Sequence, residues 1–214
     1  MRMGPPDFTI VTTVFGRANL LPGLYWDISR QLEDGWEWIV IEDGEHPRVH
    51  RMIDHLKQRV PETNHNITLV PNYVPQGAIG LHGNPLRRRG LQLARGKYIA
   101  WVSHDSRLSP TFAPLHLDNF SASKGRCVSL INVDYFVDEF MYMGKTPRGW
   151  NGLDALQRSD IDLLNIAVPV EAAREVDMFS PREDQDKMAW WGGFDRLRKF
   201  LPIVHANHTA AARF

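Results

Sequence analysis

A single cysteine, Cys127, stands in 214 residues, so no internal disulfide can form. It lies inside an apolar run and reads as a buried, inert thiol, which suits a reducing, cytoplasmic setting. Neither sign of charge is in excess: 25 Lys and Arg face 25 Asp and Glu. That balance speaks against a nucleic-acid partner. No apolar run approaches the roughly 20 residues that cross a bilayer, and the first residues lack the pattern of a secretory leader. The expected location is the cytoplasm, including the inner face of a membrane, because a peripheral contact is compatible with this composition. Residues 8–20 hold one glycine and no lysine, so the Gly-rich, Lys-bearing phosphate loop of many nucleotidyltransferases is missing. No Gly-x-Gly-x-x-Gly follows that stretch either, which argues against a dinucleotide-dependent dehydrogenase. Internal repeats and low-complexity tracts are absent.

What is present is an ordinary globular balance, 43% apolar and 23% charged, in a chain long enough to bury a full core. Residues 8–14 (FTIVTTV), 36–42 (WEWIVIE), 67–70 and 98–102 read as buried strands. Between them, Leu20, Leu24, Ile28 and Leu32 recur every four residues, with Asn19 as a cap, Pro22 in the first turn and Gly35 as the end. Val49, Ile53, Leu56 and Val60 mark a second helix, and Asn84-Pro85 opens a third that runs to Arg95 and stops at Gly96. Strand and helix alternate, which predicts an α/β fold with a mainly parallel sheet flanked by helices, in one domain over 1–214. The loop 71–83 is long and rich in Gly and Pro. The second half is less regular. Residues 127–133 read as a strand, 161–168 as a strand or buried segment, 169–176 as a helix start and 200–204 as strand-like. Helical pieces at 183–191 and 194–200 are expected to be interrupted at Gly192-Gly193.

Six clusters carry candidate chemistry, and each has a plainer reading beside it. Thr13, Phe15 and Arg17 follow the first strand and could border a nucleotide, or simply form a strand-to-helix turn. Asp43 ends the second strand and could accept from a base or ribose, or make an Asp-Gly turn. Of Arg87, Arg88 and Arg89, one could enter a cleft and neutralise phosphate while two face solvent. Ser103, His104 and Asp105 follow the fourth strand, where open α/β sheets bind ligands and a carboxylate can hold a divalent cation, or they form only a polar turn after that strand. Glu183 and Asp184 could supply a general base or only favour a helix start. His205 and His208 sit in a C-terminal tract without the spacing of a zinc site; either could be a metal ligand or simply a surface histidine. Among seven tryptophans, Trp36 and Trp38 read as core. Trp150, Trp190 and Trp191 stand among Gly and polar residues and read as ligand-facing.

In order and spacing these pieces resemble the family 2 glycosyltransferases of the GT-A fold. FTIVTTVFGRANLLPGLYWDISRQ is similar to that family's first strand, turn and helix, and GWEWIVIEDG to its second strand. LRRRGLQLARGKYIAWVSHDSRLSP is similar to its Arg-Asn-x-Gly helix, following strand and Asp-x-Asp motif, and PREDQDKMAWW to its Glu-Asp motif. The likeness is continuous over about 8–112, implying a donor-binding half there and an acceptor and base half over about 113–214. It implies donor contacts from Thr13, Phe15, Arg17, Asp43, Arg87, Ser103 and His104. It also implies Mn²⁺ or Mg²⁺ on Asp105 and His205, with His208 as rival, and Asp184 as base beside Glu183. Trp190 and Trp191 would then floor the acceptor site. Arg88 stands in place of the family's Asn, and Ser103 in place of the first Asp of Asp-x-Asp. The implied activity is transfer of a sugar from a nucleoside-diphosphate sugar to an acceptor hydroxyl with inversion, in glycan biosynthesis. The acceptor would be a glycan, a lipid-linked molecule or a small molecule. A nucleotidyltransferase and a non-catalytic nucleotide-sugar or glycan-binding module are the alternatives. The sequence sets no oligomeric state.

Overall fold

The computed structural model describes residues 6–31, 35–59, 66–72, 83–137, 141–146, 162–181 and 189–213. The β-branched run of β1 (Phe8–Val14) is buried at six of seven positions and that of β2 (Trp36–Glu42) at all seven. Continuous apolar runs of this kind suit strands covered on both faces. With β3 (Asn66–Val70) and β4 (Tyr98–Trp101) they form the parallel block β3-β2-β1-β4. The helices α1 (Leu21–Ser29), α2 (Pro47–Gln58) and α3 (Asn84–Leu93) provide the crossovers. Chain order steps from β1 outward to β2 and β3, then returns to the other side of β1 for β4. The crevice at this reversal is where open α/β sheets place ligands.

The second half continues the same sheet, so the chain is a single α/β domain of the expected class. Beyond β4 lie β8 (Ile166–Pro169), β6 (Val128–Val137), β9 (Ile203–Arg213) and β5 (Ser106–Leu108), with β7 (Met141–Thr146) paired to β6. Here β4–β8, β6–β8, β6–β7 and β5–β9 are antiparallel, and β6–β9 is parallel. Strand alternation divides the core in two. Trp36, Trp38 and Val40 pack with Leu24, Ile53 and Phe112 on one face. Ile39 and Ile41 pack with Leu86, Ala173 and Phe194 on the other. The second set draws on α3, α5 (Val170–Glu175) and α6 (Ala189–Leu197), the first on α1, α2 and α4 (Phe112–Ala122).

Several local expectations change. Asn19 lies in a 3-10 turn, Ala18–Leu20, and caps nothing; the buried stripe of α1 is Leu21, Leu24 and Ile28. The cap of α3 is Gly83, in the left-handed region at φ 74°, because the Asn84 side chain is buried within the first turn. The helix ends at Leu93, where the Arg174 guanidinium donates to the carbonyls of Leu91, Gln92 and Ala94. Gly192-Gly193 does not interrupt α6. A Cβ on Gly193 would lie 2.2 Å from the Met178 carbonyl oxygen, so glycine is there for close packing and not as a breaker. Strand β9 runs far beyond residue 204 because β6 and β5 pair with it along its length, which outweighs its small and polar composition. Leu32, Val60, 73–82 of the long loop, and Trp150 lie outside the described residues.

Two buried carboxylates tie these elements together. Glu37 on β2, 2% exposed, accepts from Thr9 Oγ1, from the backbone N–H groups of Arg95 and Gly96, and from Arg95 Nε. It thereby holds β1, β2 and the turn into β4. Asp27 on α1 accepts from Arg107 Nε and Nη2 and from the Leu108 N–H, anchoring β5 directly after the Asp105 turn.

Candidate functional site

Register brings the ends of three strands together. Val14 on β1 stands opposite Glu42 on β2, and Asp43 N–H donates to the Val14 carbonyl at 2.8 Å. On the other side of β1, Val102 N–H donates to the Val11 carbonyl at 2.9 Å, which leads residues 103–105 alongside the end of β1. Helix α3 lies across this edge. Gly90 permits the approach, since a Cβ there would meet Val11 Cγ1 at 2.4 Å. One turn earlier on the helix, Arg87 is thereby placed above the strand ends.

A cavity of about 210 Å³ opens at this point. Thr13, Val14 and Phe15 line it from the end of β1, Asp43 from the end of β2, and Gly83 and Arg87 from the start of α3. Ser103, His104 and Asp105 line it from the turn after β4. Phe15 presents a ring that is 56% exposed. Arg87 Nη1 donates to Asn84 Oδ1 at 3.1 Å, and Asn84 is fully buried, so the guanidinium is held from below. His104 Nδ1 lies 3.2 Å from the Thr13 carbonyl oxygen, linking the turn after β4 to β1. Ser106 N–H closes that turn onto the Ser103 carbonyl at 3.1 Å. The lining thus combines an open aromatic face, a guanidinium, an imidazole and two carboxylates. An aromatic face and a carboxylate suit a nucleobase, and a guanidinium suits a diphosphate.

Of the residues singled out in the sequence, Thr13, Phe15, Asp43, Arg87, Ser103, His104 and Asp105 converge on this cavity. Arg17 does not: it is exposed and outside the lining. Arg88 donates instead to the Phe179 carbonyl at 2.7 Å, and Arg89 faces solvent. His205 is also outside the lining; its Nε2 lies 2.9 Å from Asn132 Oδ1, and burial pushes its pKa down. Among the described residues, no group of three or more His, Cys, Asp or Glu side chains is arranged to hold a metal ion. His208 is exposed. The acceptor role expected of Trp190 is corrected: its ring is 4% exposed and packs in the core against Phe194 and Trp191. Trp191 is partly buried, packed on Phe194 and under Arg198. Glu183 and Asp184 lie outside the described residues. Sequence reasoning missed Gly83 in the lining and Asn84 beneath Arg87. The polar Asn84 at the head of an amphipathic helix was the available signal, and it reads equally well as a cap.

The chain superposes on S. aureus TarS over 97% of its length with a TM-score of 0.74, at 11% identity, covering 36% of that chain. TarS 1–349 in complex with UDP gives a TM-score of 0.73 at 11% identity, and its complex with UDP-GlcNAc 0.70 at 12%. Each covers 96% of this chain, and 60% and 58% of the other respectively. The chain therefore spans well under two thirds of these proteins. At such identities the likeness defines the fold, which is the GT-A fold. The sequence profile of glycosyl transferase family 2 matches residues 9–177. The chain belongs to that family. No curated protein matches it.

Proposed function

We propose that this protein transfers a sugar from a nucleoside-diphosphate sugar to an acceptor hydroxyl, with inversion at the anomeric carbon. The observation that carries the reading is the convergence of Phe15, Asp43, Arg87 and Asp105, from three strand ends and one helix, on a single cavity. Family membership supports it, and the UDP and UDP-GlcNAc complexes of TarS make UDP the first donor nucleotide to try.

Phe15 stacks on the base, Asp43 accepts from a base N–H, and Arg87 neutralises the diphosphate. A divalent cation such as Mn²⁺ or Mg²⁺ fits the donor set here. Asp105 offers one carboxylate and Ser103 a hydroxyl, and Mg²⁺ sites commonly join one or two carboxylates to substrate phosphates. When bound, that cation supplies countercharge to the diphosphate. His205 is not needed for this arrangement. Asp184, from the Glu-Asp motif, takes the proton of the acceptor hydroxyl. The acceptor oxygen then bonds to the anomeric carbon as the bond to the diphosphate oxygen breaks, its electron pair leaving with the nucleoside diphosphate.

A thermal-shift screen of UDP, GDP, dTDP and CMP sugars with and without Mn²⁺ tests the reading. A ligand at about 100 times its dissociation constant adds roughly 2.7 kcal/mol of stability. Asp184→Asn is expected to abolish transfer while donor binding survives. Release of nucleoside diphosphate without sugar transfer to any acceptor class, or no stabilisation by any donor, overturns the proposal.

A further inference from the structure

We infer that His46 is a positioning residue for the nucleotide pocket, locking Phe15 and Asp43 into one rigid wall. The inference rests on the donor-site reading above. His46 is outside the cavity lining but touches two residues that form it. Its ring meets Phe15 edge-on, with centroids 5.1 Å apart and planes at 90°. Its Nε2 lies 3.3 Å from the Asp43 carbonyl oxygen. One imidazole therefore spans the ends of β1 and β2.

His46 is itself held from below. Its backbone N–H, at the extended residue before α2, donates to Glu42 Oε1 at 2.6 Å. Glu42 is fully buried, and its other oxygen meets His50 Nε2 at 2.6 Å, one turn along α2. The buried carboxylate thus clamps the start of α2 at two points and sets where the His46 ring sits. Gly16, at φ 65°, turns the chain after Phe15, and a Cβ there would be in van der Waals contact with His46 Cε1 at 3.6 Å. An exposed ring such as Phe15 samples several rotamers unless a neighbour restrains it. Restraining one side chain before binding is worth roughly 2- to 13-fold in affinity.

UDP titration of the full chain by calorimetry, with donor turnover beside it, tests this. His46→Ala is expected to weaken UDP roughly 2- to 13-fold and raise KM with kcat nearly unchanged. In a double-mutant cycle with Phe15→Ala, removing His46 should cost less than it does in wild type, because the part of its effect that passes through that ring is already gone and only the Asp43 contact remains. His46→Phe, which restores an aromatic edge, should recover most of the affinity, and His46→Gln, which is polar without a ring, should not. Wild-type affinity in H46A, independent effects in the cycle, or equal weakness of H46F and H46Q overturns the inference alone. A wild-type chain that binds none of UDP, GDP, dTDP or CMP overturns the donor-site reading, and this inference with it.

Discussion

Glu37 offers a sharp test of what holds the sheet beneath the site. Its Oε1 receives three donors: Thr9 Oγ1, Arg95 N–H and Gly96 N–H. Its Oε2 receives Arg95 Nε, from a side chain that is 57% exposed. In Glu37→Ala the Gly96 N–H keeps Thr9 Oγ1 as acceptor at 3.0 Å, whereas the Arg95 N–H loses its carboxylate. Leaving the part-buried Arg95 N–H without its acceptor costs about 1–3 kcal/mol and a lost hydroxyl bond about 1. With the void left by the missing side chain, the total comes to about 3–5 kcal/mol. Glu37→Gln behaves differently. Its amide oxygen can take the three-donor position and its NH₂ the Oε2 position, from which Arg95 swings into solvent. The bonds lose their charge assistance but persist, at about 1–2 kcal/mol in all. Arg95→Ala removes an ion pair whose guanidinium end is largely solvated, while the buried carboxylate keeps its other donors, and costs about 1 kcal/mol. Urea unfolding followed by far-ultraviolet circular dichroism ranks the three variants. At roughly 2–4 °C per kcal/mol for a chain of this size, Glu37→Ala melts roughly 6–20 °C below wild type. An Arg95→Ala cost equal to that of Glu37→Ala, or a Glu37→Ala cost under about 1 kcal/mol, would show that the carboxylate is not the hub.

Three further outcomes are expected. His116 on α4 lies between Phe8 and Phe112 with Nδ1 2.7 Å from Ser129 Oγ, and burial holds its pKa down to about 3 from 6.5. Below pH 6.5 the unfolded chain binds a proton that the folded one refuses. Stability is therefore full above that pH and falls by up to about 1.4 kcal/mol per unit below it, and urea midpoints of His116→Gln should lack this component of the decline. Gly193→Ala drives a methyl into the Met178 backbone and should cost at least about 2 kcal/mol by the same unfolding assay; a neutral effect would mean that α6 is free to shift. Cys127 is fully buried and burial raises its pKa, so a thiol reagent should label it only as the chain unfolds; rapid labelling at neutral pH would contradict its packing.

Much of the cavity was legible because parallel strands end on one side. Once 8–14, 36–42 and 98–102 read as buried strands of one sheet, the residues after each had to lie near a common edge, and Phe15, Asp43 and Asp105 do. Motif likeness alone was a poorer guide where distant packing intervenes. Arg17 belongs to a turn that leads away from the cavity. His205 sits on a strand whose neighbour Asn132 occupies its ring nitrogen. Trp190, two residues before Gly192-Gly193, looks like a surface residue until α6 is laid on α5.

The amino-acid order by itself determined which stretches are the parallel strands, but not their order in the sheet, since unbroken β-branched runs bury on both faces wherever they pair. It also determined which side chains could meet at their ends. Only the tertiary structure decided that Gly192-Gly193 is a contact and not a break, that β9 extends to Arg213, and that His46 joins Phe15 to Asp43. Each of these depends on groups far apart in the chain coming within a few ångströms, and a local pattern of residues carries no record of that distance.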